Sequence, residues 1–495
     1  MKIHKRINLK KTSWSVLAGL LCLAVFPLHA KDHVWIVGGG YDLGSSQAQI
    51  EKNVLWAKSA ISQAATNGAE RQLSVFFTDG EGEVKDVKSW QPVTDDLSQL
   101  QPLAMIYNAA YDNGLSYRNH DIKGVRGTTR RKELEQQLTE DFKNLAPGDR
   151  GLFIFNGHGG HDKKDTANNK MWLWGDTSLS VRELYGLLEP VDKRVPMRFV
   201  FTQCYSGGFE RLVHPQASDT LELVDAKRCG FFAESEHREA EGCSTGINTD
   251  DYRDYSTYFF AALQGKTRKG EALPVNPDRN KNGEVSLYEA HLYTLAQAHS
   301  ADLPRSTSEV YLERWQPWYL RWFSAGQGGH NVYAELAAAL AQQLRLPADT
   351  TTQRSILSKQ RRRLKRQDKK LEKERKQLRK KMREARYTIR YELEERWPEA
   401  AEARTANYQA FLDNDLKAAE HFIISHEKWQ SLLAMYKRYL EAADERLTIE
   451  RDITRFDKLH RLNKLARIRS QFDKHATEQE KTGYRRLLGC EKLPL

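Results

Sequence analysis

The stretch Arg198-Phe-Val-Phe-Thr-Gln-Cys204-Tyr-Ser-Gly-Gly208 constrains the chain more than any other. Phe199-Val-Phe is a continuous apolar run of aromatic and β-branched residues with no helical period. It reads as a short strand with both faces buried. The strand runs out into Cys204 and a pair of glycines, which let the backbone turn sharply and let another molecule come close. A thiol therefore stands at the carboxyl end of a parallel strand, where open α/β sheets hold their ligands. Taken alone, a Cys on a strand is equally a small buried apolar residue.

A second stretch shifts that balance. Gly151-Leu-Phe-Ile-Phe-Asn-Gly-His158-Gly-Gly160 is another apolar strand, ending in His-Gly-Gly. A Cys and a His, each at the tip of its own buried strand, are what a thiol nucleophile needs. The thiolate attacks, and a nearby imidazole takes and returns the proton. Backbone N–H groups in the glycine turns can face a developing oxyanion. Upstream, His33-Val-Trp-Ile-Val-Gly-Gly-Gly40, an amphipathic helix over 47–65 and the strand Gln72–Phe77 follow in β-α-β order. That order calls for a parallel sheet with right-handed crossovers. The first glycine turn has neither the Lys of a phosphate-cradling loop nor the third Gly of the dinucleotide fingerprint.

His158-Gly159 after one strand and Gln203-Cys204-Tyr-Ser-Gly-Gly208 after the next resemble the caspase-like cysteine peptidases, the clan of caspases, legumains and gingipains, over about residues 34–322. The resemblance, closest to bacterial legumain-like enzymes, implies an α/β three-layer sandwich with a mostly parallel sheet. It implies Cys204 as nucleophile, His158 as acid/base, and the N–H groups of Gly159 and Cys204 as oxyanion hole. The loop after Gly230-Phe-Phe-Ala233 then helps to build the specificity pocket. Glu234 and Glu236 are candidates there for selecting a basic side chain, against the plainer reading of a solvated acidic loop. The acid that legumains carry two positions before the Cys is Thr202 here, and the pocket arginine of caspases and legumains is not recognisable. Cleavage after Asn or Asp is not implied.

Residues 1–30 read as a secretion signal, with a basic start, an apolar run over Trp14–Leu28 and a small Ala30. No later segment is apolar enough to span a bilayer, so the expected product is exported, to the periplasm first and with secretion as the alternative. Export permits disulfides. Cys229 and Cys243 flank a thirteen-residue loop that a disulfide would bridge, leaving Cys204 free; Cys490 has no clear partner.

Asp278-Arg-Asn280-Lys-Asn282-Gly283-Glu284-Val-Ser286-Leu-Tyr-Glu289 matches an EF-hand calcium loop. Oxygen side chains occupy positions 1, 3, 5 and 9, Gly the sixth, and Glu the twelfth; Glu284 offers its carbonyl. A hard cation needs several oxygens wrapped around it, which this spacing supplies. The plainer reading is a polar turn capping the next helix. Ca2+ is thus the expected cofactor, through a lone, structural loop.

From Thr351 the composition changes. Leu357, Leu364, Leu371 and Leu378 recur every seven residues, a narrow helical seam. Residues 354–390 hold eighteen Lys or Arg against four Asp or Glu, more than the whole chain's net charge of +11. The organisation expected is a signal at 1–30, a caspase-like domain at 31–345 and a basic helical hairpin or coiled-coil arm at 346–495. The arm's expected partners are acids of its own chain, anionic lipid or envelope polymer, or an acidic protein, rather than nucleic acid. The function implied is a cysteine endopeptidase acting on protein or peptide substrates. The alternatives are a transpeptidase using the same dyad and a catalytically silent adaptor docked by its arm.

Overall fold

The computed structural model describes residues 31–64, 70–90, 102–107, 115–243, 248–317, 329–403 and 405–495. The expected signal lies outside them. The chain begins with β1 (Lys31–Gly39), α1 (Ala48–Gln63) and β2 (Glu70–Phe77). An excursion carries β3 (Val87–Trp90), α2 (Pro102–Ile106), β4 (Leu115–Arg118) and β5 (Val125–Gly127). Next come α3 (Arg131–Lys143), β6 (Arg150–Gly157), a small ribbon of β7 (Gly159–Gly160), β8 (Lys170–Leu173) and β9 (Thr177–Ser180), and α4 (Val181–Leu187). Then follow β10 (Met197–Phe201), β11 (Arg228–Phe232), α5 (Tyr255–Gln264), α6 (Leu287–Gln297), β12 (Arg305–Ser306) and α7 (Thr307–Trp315). The remainder is helical: α8 (Val332–Gln343), α9 (Thr350–Arg396), α10 (Ala406–Asn414), α11 (Leu416–Ser425), α12 (Trp429–His475) and α13 (Glu478–Glu491).

The main sheet has seven strands in the order β12-β11-β10-β6-β1-β2-β5. All neighbours are parallel except the short antiparallel edge β12. Its central strands are apolar on both faces because helices cover both. On one face Trp35, Val37, Phe153, Phe155, Phe199 and Phe201 pack with α3 and α4. On the other, Val34, Ile36, Leu152, Ile154 and Val200 pack with α1, α5 and α6. The two-residue alternation of β structure thus sorts aromatic from aliphatic side chains. This is the mixed α/β sandwich with a helical C-terminal region expected from the apolar runs. Ser180 caps α4 in a capping box with Glu183, as its spacing predicts.

The excursion over 79–130 is not a bare loop: β5 extends the main sheet, and Leu103, Met105 and Ile106 of α2 pack against the far end of the helical region. Helices α9 and α12, each of 47 residues, run antiparallel for about 70 Å at 1.5 Å per residue. Their seam mixes apolar and ionic contacts. Leu364 and Leu371 meet Ala442 and Ile449, while Arg361 pairs with Asp457, Asp368 with Arg446 and Glu374 with Arg438. The polar Arg361, Asp368 and Arg375, which recur every seven residues beside the leucines, thus find partners on the returning helix, the last by stacking on Tyr439.

The region is not a detached arm. Leu459, Leu462, Leu465, Ile468 and Phe472 of α12, with Tyr484 and Leu487 of α13, belong to the same core as the helices beneath the sheet. Arg198, fully buried on β10, donates to the carbonyl of Pro494 at 2.7 Å. The disulfide joins Cys229 of β11 to Cys490 of α13. This corrects the Cys229–Cys243 pairing suggested by the short loop. Cys229 points into the covered face of the sheet, where α13 lies, and Cys243 stays free.

A crosslink across 261 residues restricts the unfolded chain strongly, so Cys490→Ser should destabilise the protein by about 2–5 kcal/mol. Thermal denaturation checks this, and non-reducing peptide mapping should return the Cys229–Cys490 pair.

Candidate active site

His158 follows β6 directly, and Cys204 lies three residues beyond β10. The two strands are neighbours, and the offset that pairs Phe155 with Phe201 also sets His158 level with Cys204. Gly159 brings the two turns together. A methyl group on it would lie 1.8 Å from the Cys204 carbonyl oxygen and 2.8 Å from Cγ of Gln203, so only glycine fits. Its backbone is held from the other side by pairing with Met171 in the β7–β8 ribbon. Tyr205 takes a left-handed conformation, φ 59° and ψ 19°, which swings the chain away after Cys204.

A third strand end completes the site. The turn after β1 places the Ser45 carbonyl and the Gln47 side chain 2.8 Å from Nε2 of His158. Both are acceptors, so Nε2 carries the proton and Nδ1 keeps its lone pair. Burial holds the imidazolium of His158 below its usual range, opposed by the Ser45 bond. The ring is therefore a neutral base with its free nitrogen on the cleft side. Gln47, which fixes the orientation of this ring, was legible in the sequence only as the start of a helix.

Nδ1 of His158 does not face Cys204. It lies 3.6 Å from Sγ of the exposed Cys243. Sγ of Cys204 accepts the Ala240 N–H at 3.2 Å and lies 3.7 Å from the Ala240 carbonyl. Residues 240–243 are thus laid across the site. Burial pushes the Cys204 thiol up to about 11, against the Ala240 N–H. Closed in this way, the thiol is protonated at neutral pH.

The acidic loop is largely structural. Glu234 is fully buried, accepts the Leu303 N–H and pairs with Arg238 at 3.1 Å, so it is not a pocket acid waiting for a basic side chain. Glu236 sits beside Arg211 and His237.

The calcium-type loop adopts the bend its spacing requires. Gly283 has φ 89°, and Lys281 before it φ 60°. Asp278 accepts from the amides of Asn282 and Gly283, Asn280 from Asn282, and Asn282 from Glu284. Glu289 accepts from Arg279 and Asn280 and closes a capping box with Ser286. The side-chain oxygens of positions 1, 3 and 5 thus gather at one turn, with the twelfth-position carboxylate across the loop. Among the described residues, no group of three or more His, Cys, Asp and Glu converges for a metal. The side-chain oxygens of Asp278, Asn280, Asn282 and Glu289 accept amides of the loop itself.

No protein-family model matches the chain, and no curated protein sequence does. Among solved structures, protein GSU0716 from Geobacter sulfurreducens is similar at a TM-score of 0.30 and 12% identity, over 56% of this chain and 92% of that one.

The raised thiol value makes a direct prediction. Alkylation of Cys204 in the native protein should be slow near neutral pH and rise about tenfold per pH unit towards the value near 11. In denaturant the same Cys should react as an ordinary thiol. Mass spectrometry of labelled peptides distinguishes it from Cys243.

Proposed function

We propose that the chain is an exported cysteine endopeptidase of caspase-like design whose site stands in a closed form. One observation carries the reading: Cys204 and His158 end adjacent parallel strands at the same level, with the Gly159 backbone against Cys204. Nδ1 of His158 takes the thiol proton, and the thiolate attacks the amide carbon. A C–S bond forms while the N–H groups of Gly159 and Cys204 hold the oxyanion. Collapse breaks the C–N bond, and the Nδ1 proton leaves on the amine. Water then hydrolyses the thioester; an amine in its place gives transpeptidation. Residues 240–243 must move first, because Ala240 occupies the thiol and Cys243 faces the base.

That closure also favours a second reading, a silent adaptor of the same fold. Incubation with a mixed peptide library separates the two. The first reading expects cuts, detected by mass spectrometry, that vanish in Cys204→Ala and weaken in Gln47→Ala. Cuts that persist in Cys204→Ala, or none in any condition that exposes Cys204, leave the adaptor.

The reading includes calcium in the 278–289 loop, held by Asp278, Asn280, Asn282, Ser286, the Glu284 carbonyl and Glu289. Bound there it would stiffen the entry into α6, a buried helix. Glu289 already caps that helix, so its removal would destabilise the protein with or without metal. Asp278→Asn is the cleaner change, because it removes charge but keeps an acceptor. Calcium should raise the melting temperature of the native protein, and Asp278→Asn should abolish that rise while leaving the melting temperature in chelator within a few degrees.

A further inference from the structure

The segment laid across Cys204 is acidic, and the helical region holds it. Glu241 accepts from Nε of Arg451 on α12 at 3.2 and 3.3 Å, and its backbone N–H donates to the buried Asp302. Arg238 reaches Thr454 on the same helix. Between these anchors, Glu239 is exposed and accepts from the Tyr205 hydroxyl at 2.9 Å. Ala240 meets the thiol with both its N–H and its carbonyl. A small residue flanked by two glutamates therefore rests with its main chain on the nucleophile.

Beside this segment opens a cavity of about 680 Å³ between the loop after β10 and helices α9 and α12. Tyr205 and Glu239 form one wall, and Arg361, Lys365, Lys369 and Arg446 line the other. Arg361 and Arg446 are bound to Asp457 and Asp368. Lys365 and Lys369 have no ion pair among the described residues and are exposed. They stand four residues apart on one helical face, which Lys373 continues away from the cleft. Glu450 also lines this side, so after the two ion pairs the arm face offers the two lysines beside one carboxylate, and the acidic segment meets the cavity at Glu239.

We propose that this cavity, which the chain's own acidic segment borders through Glu239, is a binding site for acidic peptide segments of protein substrates, and that Ala240–Cys243 now cover the adjoining thiol. The inference rests on reading the Cys204 cleft as a substrate site. The cations of α9 and α12 select substrates with Glu or Asp on either side of a small residue. The internal segment shows the chemistry that a substrate must match in order to displace it. Complementary charge across a cleft favours specificity and encounter, and it weakens with salt.

Binding to the full chain carrying Cys204→Ala tests this without requiring turnover. The probe is a labelled peptide with the sequence of residues 236–243, its Cys replaced by Ser, beside the same peptide with every Glu changed to Gln. Fluorescence anisotropy should give the acidic probe an affinity about tenfold higher at low salt. Lys365→Glu with Lys369→Glu, both on an exposed face, should erase that preference with the melting temperature unchanged. Glu241→Gln, which loosens the internal occupant but leaves the cations in place, should tighten probe binding. Equal binding of the two probes, a preference that survives the lysine reversals, or no effect of Glu241→Gln would overturn the proposal. So would tighter binding of a single-stranded oligonucleotide or of anionic phospholipid vesicles than of the acidic probe. Absence of peptide cleavage by the native chain would count against the peptidase reading and leave this binding result standing. A peptidase indifferent to acidic residues would do the reverse.

Discussion

The candidate site depends on one close approach, that of the Gly159 backbone to the Cys204 carbonyl. It exists because β6 and β10 are parallel neighbours, and they are parallel because the sheet is buried on both faces. Helices on each side leave the strand ends as the place where the main chain can turn without burying unpaired amides. Three such ends converge. The turn after β1 supplies acceptors to Nε2 of His158, β6 supplies the imidazole and β10 the thiol. Any side chain on Gly159 would force the last two apart, whatever happened to the ring or the sulfur themselves.

Much of this frame is legible in the linear order of residues. Apolar runs of four or five residues ending in glycine mark buried strands, and helical stretches between them require parallel crossovers. The positions of Cys204 and His158 follow from where those runs stop. The occupant of the site is not legible in the same way. Residues 234–243 carry four acids, and locally they read as solvated loop. Glu234 is buried instead because Arg238 and the Leu303 amide satisfy it, and Glu241 is fastened because Arg451 arrives from more than two hundred residues away. Only long-range folding supplies such partners. The disulfide teaches the same lesson. A thirteen-residue gap favours Cys229–Cys243 by proximity in sequence, but Cys229 faces α13, and its partner is 261 residues distant.

The heptad of leucines and the charge of α9 likewise had two meanings in sequence. A seam of leucines alone would have suited a partner helix of the same kind. The polar residues that break it meet matched residues on α12, so the hairpin is specified internally, by ion pairs at about every second turn. Such exposed pairs each contribute about 0.2–1 kcal/mol, which sets register more than stability. The stability comes from the other end, where α12 and α13 enter the core of the sandwich and are tied to β11.

This arrangement separates the two jobs of the basic helix. Where α9 faces α12, its charges are spent on the hairpin. Where it faces the cleft and the solvent, Lys365, Lys369 and Lys373 keep theirs. A helix that served only to pair with its neighbour would gain nothing from cations on that outer face, and their mutual repulsion would cost it helix stability. An acidic ligand lying along that face relieves the repulsion. The chain's own segment approaches that face only with Glu239, across the cavity, while Glu241 is bound to Arg451 of α12. In the proposed reading, closure of the site and selection of what opens it are therefore governed by charges of the same helical region.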